Sequence, residues 1–108
     1  MTVSEMAEKL HLHVLTMPDP DREVESGYAG DMPSWVMGNA DQGCAWLTIM
    51  NNRNIIAVAV LLDMACIVVA EGSEVPEEVV KLAESKDVNL LSSEKNVFTL
   101  SAEIAGLL

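Results

Sequence analysis

Apolar residues recur along the chain with two different periods, and the switches between them mark out its elements. Thr2-Val3-Ser4-Glu5 has the spacing of a capping box, and Val3, Met6, Ala7 and Leu10 follow at helical intervals, which predicts a short first helix. His13-Val14-Leu15-Thr16 fits a short strand. Met17-Pro18-Asp19-Pro20-Asp21 is the turn after it, because two prolines cannot donate to a sheet ladder. Arg22 to Ala29 is a second, weakly patterned strand that ends at Gly30. Asp31 before Met32-Pro33 is a helix-start signal, since proline is preorganised for the first turn, and residues 33–39 are predicted helical. Asp41-Gln42-Gly43 forms the next turn.

From Cys44 to Ala70 the chain is nearly all apolar, divided by Asn51-Asn52-Arg53-Asn54 and by Asp63. No piece reaches the ~18 residues needed to span a bilayer, so these are interior elements of a globular domain. Residues 44–50 form a buried strand by length and apolarity. The run Ile55 to Leu62 is apolar all round, and periodicity alone does not separate strand from helix. Topology decides: a strand after so short a link would form a hairpin, and hairpin strands alternate polar and apolar residues, which neither run does. As a helix, residues 55–62 join two buried parallel strands, 44–50 and 66–70, in a βαβ unit.

Residues 73–76 open a further helix in which Glu77 and Lys81 form an i,i+4 pair and Val75, Val79, Leu82 and Ala83 face inward. Residues 88–91 make the last strand, and Asn96 caps a closing helix over 97–108. The alternating order predicts an α/β fold: a small Rossmann-like single domain over residues 1–108, with a largely parallel sheet flanked by helices and right-handed crossovers. A mass of 11.7 kDa implies roughly 5,900 Å² of folded surface, enough for one core.

Charge then narrows the partners. Seventeen acidic residues face six basic ones, for a net charge of -11. Nucleic acid and anionic membranes are bound by Lys and Arg, so both are excluded as partners. A match of residues 2–14 to the opening of a helix-turn-helix fails for the same reason, since no basic second helix follows. Met1 to Lys9 carries Glu5 and Glu8 and no apolar block, so no secretory signal is expected and the chain is assigned to the cytoplasm. Cys44 and Cys66, each in an apolar run, fit buried reduced thiols.

The stretch Cys44-Ala45-Trp46-Leu47-Thr48-Ile49-Met50, the loop Asn51-Asn52-Arg53-Asn54 and the run Ile55 to Leu62 together resemble the centre of a DRTGG domain. Residues 66–72 with Pro76, Val79 and Val80 continue the resemblance, and Val88-Asn89-Leu90-Leu91-Ser92 with the closing helix completes it over nearly the whole chain. Domains of this family occur alone near iron-only hydrogenase genes, beside CBS domains in some inorganic pyrophosphatases, and in some phosphate acetyltransferases. The resemblance implies a regulatory or ligand-sensing module, often dimeric, with no established catalytic activity. The literal Asp-Arg-Thr-Gly-Gly string is absent, and Asn52-Arg53-Asn54 stands where relatives can carry Asp-Arg and a small polar residue.

In an open parallel sheet, ligands sit beyond the carboxyl ends of the strands. Those ends present Asn51, Asn52, Arg53 and Asn54 after one strand, Glu71, Gly72 and Ser73 after the next, and Ser92 and Ser93 after the last. Backbone N–H groups at a helix start, with Arg53, suit a phosphate or carboxylate, which makes Asn51, Asn52, Arg53, Asn54, Glu71, Ser92 and Ser93 the candidate ligand-binding residues. The alternative is that Asn54 caps the helix while Arg53 pairs with a carboxylate. His11 and His13 have i,i+2 spacing, but without a third ligand they are read as solvent-exposed. No triad, zinc motif or phosphate loop is present, so no catalytic residue, metal or cofactor is predicted, and the protein is read as a non-enzyme. Trp35, Val36 and Met37, with Leu107-Leu108, are candidates for an exposed apolar patch that a partner covers. Two functions follow: a regulatory, homodimeric module that binds a small anionic or nucleotide ligand, or a protein-interaction domain in the assembly of a hydrogenase-type metalloenzyme.

Overall fold

The computed structural model describes all of residues 1–108. In chain order the elements are α1 (Val3–Lys9), β1 (His13–Thr16), β2 (Ser26–Ala29), α2 (Pro33–Asn39), β3 (Cys44–Thr48), α3 (Asn54–Leu62), β4 (Cys66–Val69), α4 (Glu77–Ser85), β5 (Leu90–Ser92) and α5 (Val97–Leu107). One five-stranded sheet has the order β1-β5-β4-β3-β2. Strands β2 to β5 are parallel to their neighbours, and β1 joins the far edge antiparallel to β5, so the sheet is mixed rather than wholly parallel.

Both faces of the sheet are covered, which is why its central strands carry no polar alternation. One core packs α1 and α5 against Ala45, Leu47, Cys66, Val68 and Leu91. The other packs α2, α3 and α4 against Cys44, Trp46, Ile67, Val69 and Leu90. Successive residues of β3 and β4 thus serve opposite layers, as the pleat requires. The folded chain exposes 5562 Å², close to the area its mass implies. No helix is long and apolar enough to cross a membrane.

The caps act as the sequence predicts at both ends of the chain. Thr2 Oγ1 accepts from Glu5 N and the Glu5 carboxylate accepts from Thr2 N, a complete capping box, and Asn96 Oδ1 accepts from Thr99 N at 2.8 Å. The second strand is shorter than predicted and begins at Ser26, because residues 22–24 pair instead with the chain start: Val3 N donates to Arg22 O and Val24 N to Met1 O. The last strand is displaced toward Ser92, since Asn89 is a buried tie whose amide donates to Asp19 O and Ala65 O while its oxygen accepts from Asp19 N.

Candidate functional site

At the carboxyl ends of the parallel strands, most of the predicted polar residues are already engaged. The Asn51 amide donates to Glu74 O at 2.7 Å, and Ser73 Oγ donates to Ile49 O at 3.0 Å, which ties the loop after β3 to the loop after β4. Ser93 Oγ accepts from Lys95 N, and Gly72 N donates to Ser93 O, which ties the loop after β4 to the loop after β5. Glu71 sits in the left-handed region at φ 59°, so its backbone N–H reaches Lys95 O and its carboxylate lies 3.5 Å from Val97 N at the start of α5. Asp31, read from sequence only as a helix-start signal, accepts from Thr48 Oγ1 at 2.8 Å and Ile49 N at 2.9 Å, joining the ends of β2 and β3. α2 consequently has Met32 at its cap position and no side-chain cap.

The loop before α3 departs from the capping alternative. Asn52 Oδ1, not Asn54, accepts the first-turn hydrogen bond, from Asn54 N at 3.0 Å. Asn54 is already the first residue of the helix, and Arg53 holds the cap position in a helical conformation without a side-chain bond. Arg53 forms no ion pair either, whereas Arg22 pairs with Asp63 at 2.8 Å, Lys81 with Glu77 at 3.6 Å and Lys95 with Glu103 at 3.0 Å.

Two concavities divide the predicted cluster. A cleft of about 440 Å³ at the carboxyl ends of β4 and β5 takes in Ser92, Ser93 and Ser73 with His13, Glu74 and Glu94. Arg53 and Asn54 open instead onto a groove of about 740 Å³ between α3 and α4, with Ile56, Ala57, Val60, Leu61, Leu82 and Lys86. Arg53 and the serines therefore line different concavities, although both stand near the carboxyl ends of parallel strands. Lys86, the second unpaired cation of this groove, was not singled out by sequence reasoning; its signal is its place just past the end of α4, the helix that packs beside α3.

The electrostatics of the two regions differ accordingly. The cleft holds two carboxylates, and the groove holds two cations and no carboxylate. An Arg guanidinium offers a planar fork to a carboxylate or phosphate, and Lys a mobile point charge. His11 lies in a left-handed turn at φ 55° and His13 begins β1; both are exposed, and they do not share a strand face. No group of three or more His, Cys, Asp or Glu side chains is placed to hold a metal ion. Cys44 and Cys66 are free and buried; burial pushes the Cys44 thiol up to about 11 and raises Cys66 as well, so neither is a ready nucleophile.

The family model for the DRTGG domain matches residues 5–107. The chain belongs to the DRTGG domain family. Among solved structures, this DRTGG domain is similar to the crystal structure of the CBS and DRTGG domains of the regulatory region of Clostridium perfringens pyrophosphatase complexed with activator, diadenosine tetraphosphate. The TM-score is 0.74 at 15% identity, a likeness of fold. The match covers 95% of this chain and 45% of the other, so the chain spans less than half the length of that neighbour. No curated protein matches it.

Proposed function

We propose that this DRTGG domain is a cytoplasmic, non-catalytic, ligand-sensing regulatory module that acts as a homodimer and binds a small anionic or nucleotide ligand at the Arg53 end of the α3–α4 groove. One observation carries the reading: in a chain of net charge -11, Arg53 and Lys86 form no ion pair and line the same groove, whose lining holds no carboxylate, although Lys86 also borders a second concavity with Asp19, Asp63 and Asp87. Two exposed cations without a counter-charge at the rim of an apolar groove suit an anion. Asn51 and Asn52 serve this site by fixing the loop that carries Arg53, while Glu71, Ser92 and Ser93 hold the neighbouring strand ends. The Clostridium pyrophosphatase region, whose activator is a polyphosphate anion, supports a regulatory role for the fold.

A thermal-shift series with nucleotides, phosphate and polyphosphates tests the reading. Stabilisation that rises with ligand concentration and is lost in Arg53→Ala is expected; no stabilisation by any anion removes the ligand. Light scattering tests the dimer, with twice the 11.7 kDa chain mass as the expected result.

A second reading, an assembly domain for a hydrogenase-type metalloenzyme, is favoured by α2. Trp35 on this helix is 64% and Met32 at its cap position 62% exposed, while Val36, next to Trp35, is buried. Exposed large apolar side chains grouped on one short helix are a contact surface in need of a cover. Co-purification of a metalloenzyme subunit that depends on Trp35 is the expected result; a free chain with an unperturbed Trp35→Ala variant opposes it.

A further inference from the structure

α3 and α2 are the two helices of this chain without a charged residue, and α3 is the longer of them. Its nine residues, Asn-Ile-Ile-Ala-Val-Ala-Val-Leu-Leu, carry no charge, although the helix is covered on one side only. Ile55, Ile56, Val58 and Ala59 are buried against the sheet, whereas Val60 is 50% and Leu61 69% exposed. A half-exposed helix ordinarily carries charged residues on its outer face, and the rest of this chain is rich in them. Arg53, Ala57, Val60 and Leu61 stand at i, i+4, i+7 and i+8, one continuous stripe. α4 supplies the facing wall in the same way, with Leu82 and Lys86 at i and i+4, and its own carboxylates Glu77, Glu78 and Glu84 line no part of the groove.

The two cations stand at opposite ends of that groove. Both helices lead from the carboxyl end of one parallel strand to the amino end of the next, so α3 and α4 run in the same direction. Arg53 precedes the start of α3 and Lys86 follows the end of α4, about 13 Å apart along the axis for helices of this length. Between them the floor is aliphatic: Ile56, Ala57, Val60, Leu61 and Leu82.

We infer that the groove binds an amphiphilic anion, a molecule with an aliphatic body that lies along α3 and an anionic group held by Arg53, with Lys86 attracting the far end. The inference rests on the anion reading of this groove and narrows it. Inorganic phosphate alone leaves the apolar floor wet. A nucleotide meets no aromatic ring on which to stack its base, and Asn54 is the sole uncharged polar side chain in the lining. An anionic lipid surface is repelled by the net charge of -11, which favours a single soluble molecule over a bilayer. The volume of about 740 Å³ lies in the range of small-molecule sites, ~300–1,000 Å³.

Calorimetric titration of the whole chain with octyl phosphate, inorganic phosphate, octyl glucoside and AMP, at concentrations where the amphiphiles are monomeric, decides the matter. Octyl phosphate is expected to bind at least tenfold more tightly than each of the other three. Arg53→Ala and Leu61→Ser are each expected to weaken it about tenfold, and the exposure of both positions keeps the variants folded, which their melting temperatures verify. If AMP or phosphate binds as tightly as octyl phosphate and Leu61→Ser has no effect, the amphiphile is overturned while the anion reading stands. If octyl glucoside matches octyl phosphate, charge is irrelevant and both fall. If no anion binds, both fall together.

Discussion

At the strand ends, Asn51, Ser73, Ser93 and Asp31 each meet a partner in a neighbouring loop, whereas in the groove between α3 and α4 Arg53 and Lys86 meet none. The two regions look alike in sequence, since each is a polar residue beside an apolar run. They differ in what the fold leaves unsatisfied. A buried or half-buried polar group must be hydrogen-bonded, and the strand-end residues meet that demand from within the protein. The groove cations are exposed and hydrated, and no protein carboxylate pairs with them, so they stay available to a ligand. A strand-end position therefore points to a site only after its own hydrogen bonds have been accounted for.

The largest expected effect is on binding. The double variant Arg53→Ala, Lys86→Ala should lose about a hundredfold in affinity for an anion, on the order of 3 kcal/mol for two charged contacts, while its melting temperature stays within the small range of exposed substitutions. Calorimetry and thermal unfolding read the two quantities separately, and a large fall in stability would erase the distinction between the regions.

Asp31→Ala should do the opposite. It removes two hydrogen bonds to a charged acceptor and leaves the buried Thr48 hydroxyl with one fewer partner, a loss of about 2 kcal/mol in denaturant-derived stability. Anion affinity in the groove should be unchanged. Asn51→Ala and Ser73→Ala should each cost about 1 kcal/mol, the net worth of one neutral hydrogen bond. Only Asn51→Ala, through the loop that carries Arg53, should weaken binding, and by no more than a few-fold.

The smallest effect concerns the amino end of the sheet, where the Arg22 guanidinium and then the Gln42 amide bond to Asp63 and hold its carboxyl below the ordinary 3.8. A lowered folded pKa means stability that is present above the ordinary value and lost as pH falls through the folded one. The pair is exposed, so Arg22→Ala should cost less than about 1 kcal/mol at pH 7. Melting curves of wild type and variant should converge well below pH 3.8; a difference that persists there would assign the effect to the bond from Arg22 to Asp63 O at 2.9 Å instead.

Much of the fold was legible because local rules suffice for it. Thr2 and Asn96 carry caps in their own side chains, and α3 follows from the absence of alternation on either side of Asn51. The antiparallel placement of β1 was not legible, since four residues with no turn signal toward β5 do not state which edge they join. The early part of the predicted second strand was lost to the chain start for a similar reason: the partner of Arg22 is Val3, nineteen residues away, and no local pattern records it.

The candidate site divides along the same line. Arg53 was picked out in sequence by its place after a strand and before a helix start, and in the fold it forms no ion pair. The residues predicted with it are divided by the fold: Ser92 and Ser93 line a separate cleft, and Lys86 joins Arg53 from the end of the next crossover. The sequence by itself determined the alternation of helices and strands, the acidic exterior and the DRTGG membership, because periodicity, composition and motif order are properties of neighbours along the chain. Only the tertiary structure decided which polar groups remained available, because a hydrogen bond such as that from Asn51 to Glu74, or a groove shared by Arg53 and Lys86, exists only once distant segments are packed side by side.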